Sequence, residues 1–221
     1  MRRAALAAVL AVALAGCGSS SATGPAGRAT LWVTRDRGAH VLHSTRVPAG
    51  ESVLQALDRV AKVETRFGGR YVRAVDGVEE HGNRSWFYYV NGYLADRSAA
   101  DYRLRAGDLA WWDYRAWHNP SQDPVVVGAF PQPVLSGYAG KRRPAVVVST
   151  DAGARSVAKR LHARIVRRAP PGANVLVLGG NATRIVLRDS SPGSPVRLVF
   201  RGDPKLLLRR WPFRYRYEVG G

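Results

Sequence analysis

Apolar and β-branched residues concentrate over Ala29 to Thr34 (ATLWVT) and recur among polar ones over Ala39 to Val47 (AHVLHSTRV), with Arg35-Asp36-Arg37-Gly38 between them. Two such runs on either side of a charged, glycine-containing turn predict two short strands. Pro48-Ala49-Gly50 breaks that pattern. Beyond it Val53, Leu54, Leu57, Val60 and Ala61 fall on one stripe at the helical period, and Glu51 near the start suits the positive end of a helix dipole. Phe67-Gly68-Gly69 ends the unit, and strands are predicted at Tyr71 to Val75, Ser85 to Val90 and Leu109 to Ala116. The order ββαβββ predicts a β-grasp-like arrangement, one helix across a mixed sheet.

From Asn119 to Pro144 the pattern dissolves into a segment with five prolines, read as a connector. Val125-Val126-Val127 and Phe130 within it suggest that it packs against a domain. A second pattern follows. Ala145 to Thr150 reads as a buried strand, and Arg155 to Arg168 as a helix with Val157, Leu161, Ile165 and Val166 on its apolar face. Strands are predicted at Asn174 to Leu178, Arg184 to Arg188 and Val196 to Phe200, and Arg209 to Val219 could add another. The expected class is therefore α+β: a β-grasp-like N-terminal domain over 29–118, the connector over 119–144, and a smaller α/β domain over 145–221.

The first residues change the picture. Met1-Arg2-Arg3 is a short cationic segment, followed by an uncharged run of Ala, Leu and Val from Ala4 to Ala15. As a helix that run reaches roughly 18 Å, against a hydrocarbon core about 30 Å thick. It suits the apolar region of a signal peptide better than a membrane span. Leu14-Ala15-Gly16-Cys17 resembles the bacterial lipobox, which implies removal of residues 1–16 and lipidation of Cys17. The expected location is the extracytoplasmic face of the cell membrane, with a flexible Gly/Ser/Ala-rich linker over 17–28. The chain's single cysteine is then taken by lipid, so no intramolecular disulfide forms.

Formal net charge is +18, and 30 of the 34 basic residues are Arg. A basic protein usually meets nucleic acid, but an exported, anchored one meets anionic lipid or cell-wall polymer instead, so no nucleic-acid partner is expected. The Arg excess, with many Ala, Gly and Val, also suits the codon usage of a GC-rich genome. No nucleophile-elbow, zincin or phosphate-loop motif is present, and an enzyme is not expected. His40 and His43 point to opposite faces of a strand and no acidic cluster or free Cys accompanies them, so no metal site is expected.

The aromatic residues carry the binding expectation. Strand alternation puts Trp86, Tyr88 and Val90 on one face and Phe87 and Tyr89 on the other. Likewise Leu109, Trp111 and Asp113 oppose Ala110, Trp112 and Tyr114. One row must pack under the helix, and the other is left for solvent, a ligand or the second domain. The candidate ligand-binding residues are Tyr89, Asn91, Tyr93, Trp112, Asp113, Tyr114 and Arg115. Asn91-Gly92 and Gly107-Asp108 read first as turns.

Four strings in order, GESVLQAL (Gly50 to Leu57), VRAVDGV (Val72 to Val78), SWFYYVNGYLAD (Ser85 to Asp96) and YRLRAGDLAWWDYR (Tyr102 to Arg115), resemble the DUF4430 family. That family is similar to the C-terminal domain of transcobalamin and intrinsic factor. Its pattern is present as Gly50 with Val53, Trp86 with Asn91-Gly92, and Gly107-Asp108 before Trp111-Trp112. The resemblance implies cobalamin or another corrinoid as a ligand rather than a resident cofactor. In transcobalamin a second, helical domain shares that task, and no such pattern is read in these residues. The expected function is that of a non-catalytic lipoprotein holding a small ligand on the aromatic face. The alternative is a structural or adaptor lipoprotein contacting a protein, anionic lipid or cell-wall polymer.

Overall fold

In the computed structural model the described residues are 27–117, 123–209 and 217. The lipobox, Cys17 and almost all of the expected C-terminal strand lie outside them. The charged turn Asp36-Arg37-Gly38 folds with three successive positive φ angles (56°, 60° and 84°). It joins β1 (Arg28–Arg35) to β2 (His40–Pro48) in antiparallel register, Trp32 opposite Ser44 and Thr30 opposite Arg46. Gly50, at φ 90°, turns the chain into α1 (Val53–Asp58), which buries Val53 and Leu57 of the predicted stripe together with Ala56, while Leu54 is half-buried. The helix stops before Val60 and Ala61, and three small strands follow: β3 (Val63–Arg66), β4 (Tyr71–Val75) and β5 (Val78–Glu79), ordered β3-β4-β5. β3 and β5 are too short for their alternation to be read from sequence.

The aromatic strands β6 (Arg84–Val90) and β8 (Leu109–Ala116) pair antiparallel, with the two-residue strand β7 (Tyr93–Leu94) folded back on β6. β8 also lies parallel beside β1, giving a mixed sheet β2-β1-β8-β6-β7. Alternation sorts its side chains as expected. Ala29, Leu31, Val33, Trp86, Val90, Ala110, Trp112 and Tyr114 join α1 in the main core. Trp32, Tyr89, Leu109 and Trp111 face the opposite side, where Val126, Ala129 and Tyr217 cover them.

The connector packs as its valines suggest: Val125, Val126, Val127 and Val134 are all buried, and the Val126 amide donates to the Gly92 carbonyl at 2.8 Å. Its Phe130-Pro131 and Gln132-Pro133 bonds are cis.

The second sheet comprises β9 (Ala145–Val148), the two-residue β10 (Arg164–Ile165), β11 (Asn174–Leu178), β12 (Arg184–Leu187) and β13 (Val196–Phe200). Its order is β10-β9-β11-β13-β12, all parallel except β12. Between β9 and β10 lies α2 (Ala154–Arg160), half the predicted helix. His162 adopts φ 49°, and the amides of His162 and Ala163 return to the carbonyls of Lys159 and Ala158. That is a Schellman stop, after which Ile165 becomes strand rather than helix. A short 3-10 helix, Pro204–Leu208, closes against α2, and Leu176, Ile185, Leu198 and Phe200 pack with Val157, Leu161 and Leu207. Apolar residues of both sheets belong to one continuous core. Among the described residues the fold is mostly β with two short α-helices, consistent with an α+β class.

Candidate functional site

The row facing away from α1 is built on a buried polar cluster. Asp113 sits at the end of that row and accepts hydrogen bonds from the Thr34 hydroxyl and the amides of Arg37 (2.9 Å) and Gly38 (3.1 Å). Burial pushes its carboxyl above the usual carboxylate range, opposed by those three donors. Trp111 Nε1 donates to the same Thr34 hydroxyl at 2.8 Å. Two positions on, the Arg115 guanidinium lies 4.3 Å from the centre of the Phe87 ring and donates to the Tyr89 hydroxyl at 3.2 Å. Asp123 faces Arg115 at 3.6 Å and takes a shorter bond, 2.8 Å, from Arg37. The Tyr217 ring closes the cluster, edge-on to Trp111 and Tyr89 with centroids 4.9 and 5.4 Å away. Asp113 thus holds the strained β1–β2 turn, while among the described residues Arg115 Nε and Asp123 Oδ1 are buried without a hydrogen-bond partner.

The other candidates are also buried. Trp112 packs under α1 with its ring centroid 5.0 Å from that of Tyr88. Tyr114 donates to the Glu79 carbonyl at 2.8 Å beneath the Arg84 guanidinium, 4.8 Å from its ring. Tyr93 donates to the Ser194 carbonyl at 3.2 Å, across to the second sheet. Asn91 and Gly92 are the centre of the β6–β7 hairpin with φ 50° and 83°, the pair of positive angles a type I′ turn requires. The Asn91 side chain bonds Asp108 (2.8 Å), the Gly137 carbonyl (3.0 Å) and the Leu109 amide (2.9 Å). A Cβ at Gly92 would meet the Val126 carbonyl oxygen at 3.0 Å, so the turn and the connector approach each other closely. All seven candidate side chains are at most 5% exposed.

Access lies at the rim of the same face. A crevice of about 380 Å³ is lined by Thr30, Trp32, Ser44, Arg46, Leu109 and Phe130, with Gln132 and Arg160. The β1–β2 hairpin, the start of β8, the connector and the last residue of α2 all contribute to its lining. Trp32 continues the aromatic row, its ring 5.5 Å from Trp111 and perpendicular to it. Arg46 and Arg160 are exposed, and no carboxylate lines the space. Such a site presents one flat apolar wall, hydroxyl and amide donors, and two cations. A smaller crevice of about 190 Å³ opens on the α1 side between Tyr71, Tyr88, Trp112 and Arg97.

The sequence holds half of this signal. Hairpin register places Thr30, Trp32, Ser44 and Arg46 on one face. The opposing wall comes from residues about 85 and 115 positions away, which no local pattern links to the hairpin.

Residues 50–116 match the DUF4430 family model. That model is described as a domain of unknown function, and it spans less than half of the chain. No curated protein matches the chain. Two solved structures are similar to it at a TM-score of 0.35. One is a provisionally designated metal binding protein from Ruminococcus gnavus, at 14% identity over 42% of this chain and 99% of that one. The other is haptocorrin in complex with Cbi, at 15% identity over 42% of this chain and 25% of the haptocorrin chain. Among the described residues, no group of three or more His, Cys, Asp or Glu side chains is placed to hold a metal ion.

Proposed function

We propose that the protein is an exported, lipid-anchored, non-catalytic binding protein, and that its ligand lies against Trp32 in the crevice between the first sheet and the connector. The reading treats residues 28–116 as a β-grasp: a β1–β2 hairpin, a helix across the sheet, and β8 returning parallel beside β1. The supporting observation is the crevice itself. It offers Trp32 and Leu109 as an apolar surface and Arg46 and Arg160 as unopposed cations. At about 380 Å³ it sits at the small end of ligand sites, which run roughly 300–1,000 Å³. A flat anion of one or two rings fits that volume and charge. A corrinoid would engage it only through an edge or side arm.

The test is titration of tryptophan fluorescence against cobalamin, cobinamide, flavin mononucleotide and muropeptide fragments. Saturable quenching that weakens about tenfold or more in an R46Q/R160Q variant supports the site, since charge-assisted hydrogen bonds contribute about 1.5–3 kcal/mol each. Quenching by cobinamide identifies a corrinoid carrier. No response from any of the four, with the fold intact by circular dichroism, refutes small-ligand binding at this crevice.

A further inference from the structure

Cations are spread evenly through the chain, but carboxylates are not. Residues 27–117 carry fourteen Arg and Lys against eleven Asp and Glu, whereas residues 145–209 carry twelve against three, Asp151, Asp189 and Asp203. Codon usage that favours Arg explains the first number in each pair and not the second. Among the described residues every ion pair falls within residues 36–123, and all twelve cations of 145–209 are exposed.

Six of those cations follow one another along the chain. Arg155, Lys159 and Arg160 stand on α2, Arg164 on the edge strand β10, and Arg167 and Arg168 on the loop that leaves it, with no carboxylate between Asp151 and Asp189. Arg164 aligns with Val146 and Ile165 with Val147, so the two point to opposite faces of β10, and at this sheet edge both stay exposed, Ile165 by 43%. A soluble polyanion is recognised by the cations alone, and Ile165 has no part in that. A bilayer surface uses both kinds of group: anionic headgroups for the guanidinium groups and the acyl boundary for the isoleucine.

We propose that α2, β10 and residues 167–168 form a docking surface for an anionic phospholipid membrane, with Ile165 entering the headgroup layer. The choice of membrane draws on the reading of Cys17 as a lipid anchor. The eleven residues that follow Cys17 span at most about 40 Å even if fully extended, which keeps the folded part within reach of the bilayer. The surface then sets how the molecule lies on the membrane, and the crevice beside Arg160 lies close to that plane.

The experiment needs no anchor. The full chain with Cys17→Ser is sedimented with vesicles of phosphatidylcholine alone or with 30% phosphatidylglycerol. Comparing variants with the unsubstituted chain cancels any insertion of the N-terminal apolar run, which they all share. Each near-surface cation strengthens partition roughly fivefold, so R164Q/R167Q/R168Q is expected to bind phosphatidylglycerol vesicles at least tenfold more weakly. R59Q/R66Q/R70Q removes the same charge from the first unit and is expected to change binding less than threefold. I165A is expected to lose severalfold on vesicles while retaining its affinity for soluble polyphosphate. Equal losses in the two triple variants, or no preference for phosphatidylglycerol, would overturn the proposal. Polyphosphate binding that needs the three Arg, with I165A unchanged on vesicles, assigns the surface to a soluble polyanion and overturns it equally. Loss of the vesicle response leaves the crevice reading standing, because that is tested on small ligands.

Discussion

Asn91 shows what a single residue can settle in this fold. Its positive φ makes the β6–β7 turn, and its buried amide joins that turn to Asp108, Leu109 and the connector at Gly137. Asn91→Ala strands the Asp108 carboxylate oxygen, the Gly137 carbonyl and the Leu109 amide, each of which costs about 1–3 kcal/mol when left unmet. Ala is also the worse residue for a left-handed backbone. The expected loss is about 3–4 kcal/mol by urea unfolding, and Asn91→Gly should recover only the backbone part. A loss under 1 kcal/mol would mean that water replaces the amide. The pair Asn91-Gly92 was legible as a turn because its φ requirement is local. Asp113 and Arg115 were legible only as neighbours on one face. That they are buried depends on Asp123, Val126 and Tyr217, which come from outside the strand and leave no trace in its alternation.

Strand limits are legible in the sequence whether or not both faces are buried: β8 is buried on both, while β4 leaves Tyr71 and Arg73 half-buried on one. β4, β8, β11 and β13 carry the expected limits. The apolar stripe alone marks α1, and the Ser52–Gln55 capping box is the sharper signal for its start. α2 was overextended because helical spacing continues through Ile165 while the stop signal is unusual. A Schellman motif normally places Gly at the left-handed position, and here it is His162. His162 is exposed, and among the described residues its imidazole makes no hydrogen bond, ion pair or ring contact. Relief of the left-handed strain therefore outweighs the extra freedom Gly gives the unfolded chain, and His162→Gly should stabilise the protein by about 0.5–1 kcal/mol. Thermal melts of the two proteins check this, with a rise of a few degrees expected. A fall would show that the His ring contributes to the α2–β10 corner.

At the scale of the whole molecule, stability and charge pull on the same residues. The carboxylates of Asp36, Asp76 and Asp96 are held below their usual range, first by side-chain hydrogen bonds from Arg84, His43 and Arg97 respectively. A lowered folded pKa means stability that is present above about pH 4, the unfolded value, and is lost as pH falls through the folded one. All three side chains are about two-fifths exposed, so each contributes only about 0.2–1 kcal/mol. Asp113 runs the other way: its raised pKa makes the protonated form the better fit, so its contribution grows on acidification. The gain at Asp113 opposes the loss at those three. Protonation also removes the first unit's counter-charge and leaves the cations of both sheets to repel one another. The unfolding midpoint should therefore drop between pH 5 and pH 3, and 0.3 M sodium chloride should restore part of it by screening. Because residues of both sheets share one core, the damage should not stay in the first sheet. Tryptophan fluorescence, which reports chiefly on the first sheet, and amide exchange in β11 and β13 should lose protection at the same pH. If fluorescence fails first while β11 and β13 stay protected, the contacts of Tyr93 with Ser194 and of Asn174 with Val134 join two separately folding units rather than one.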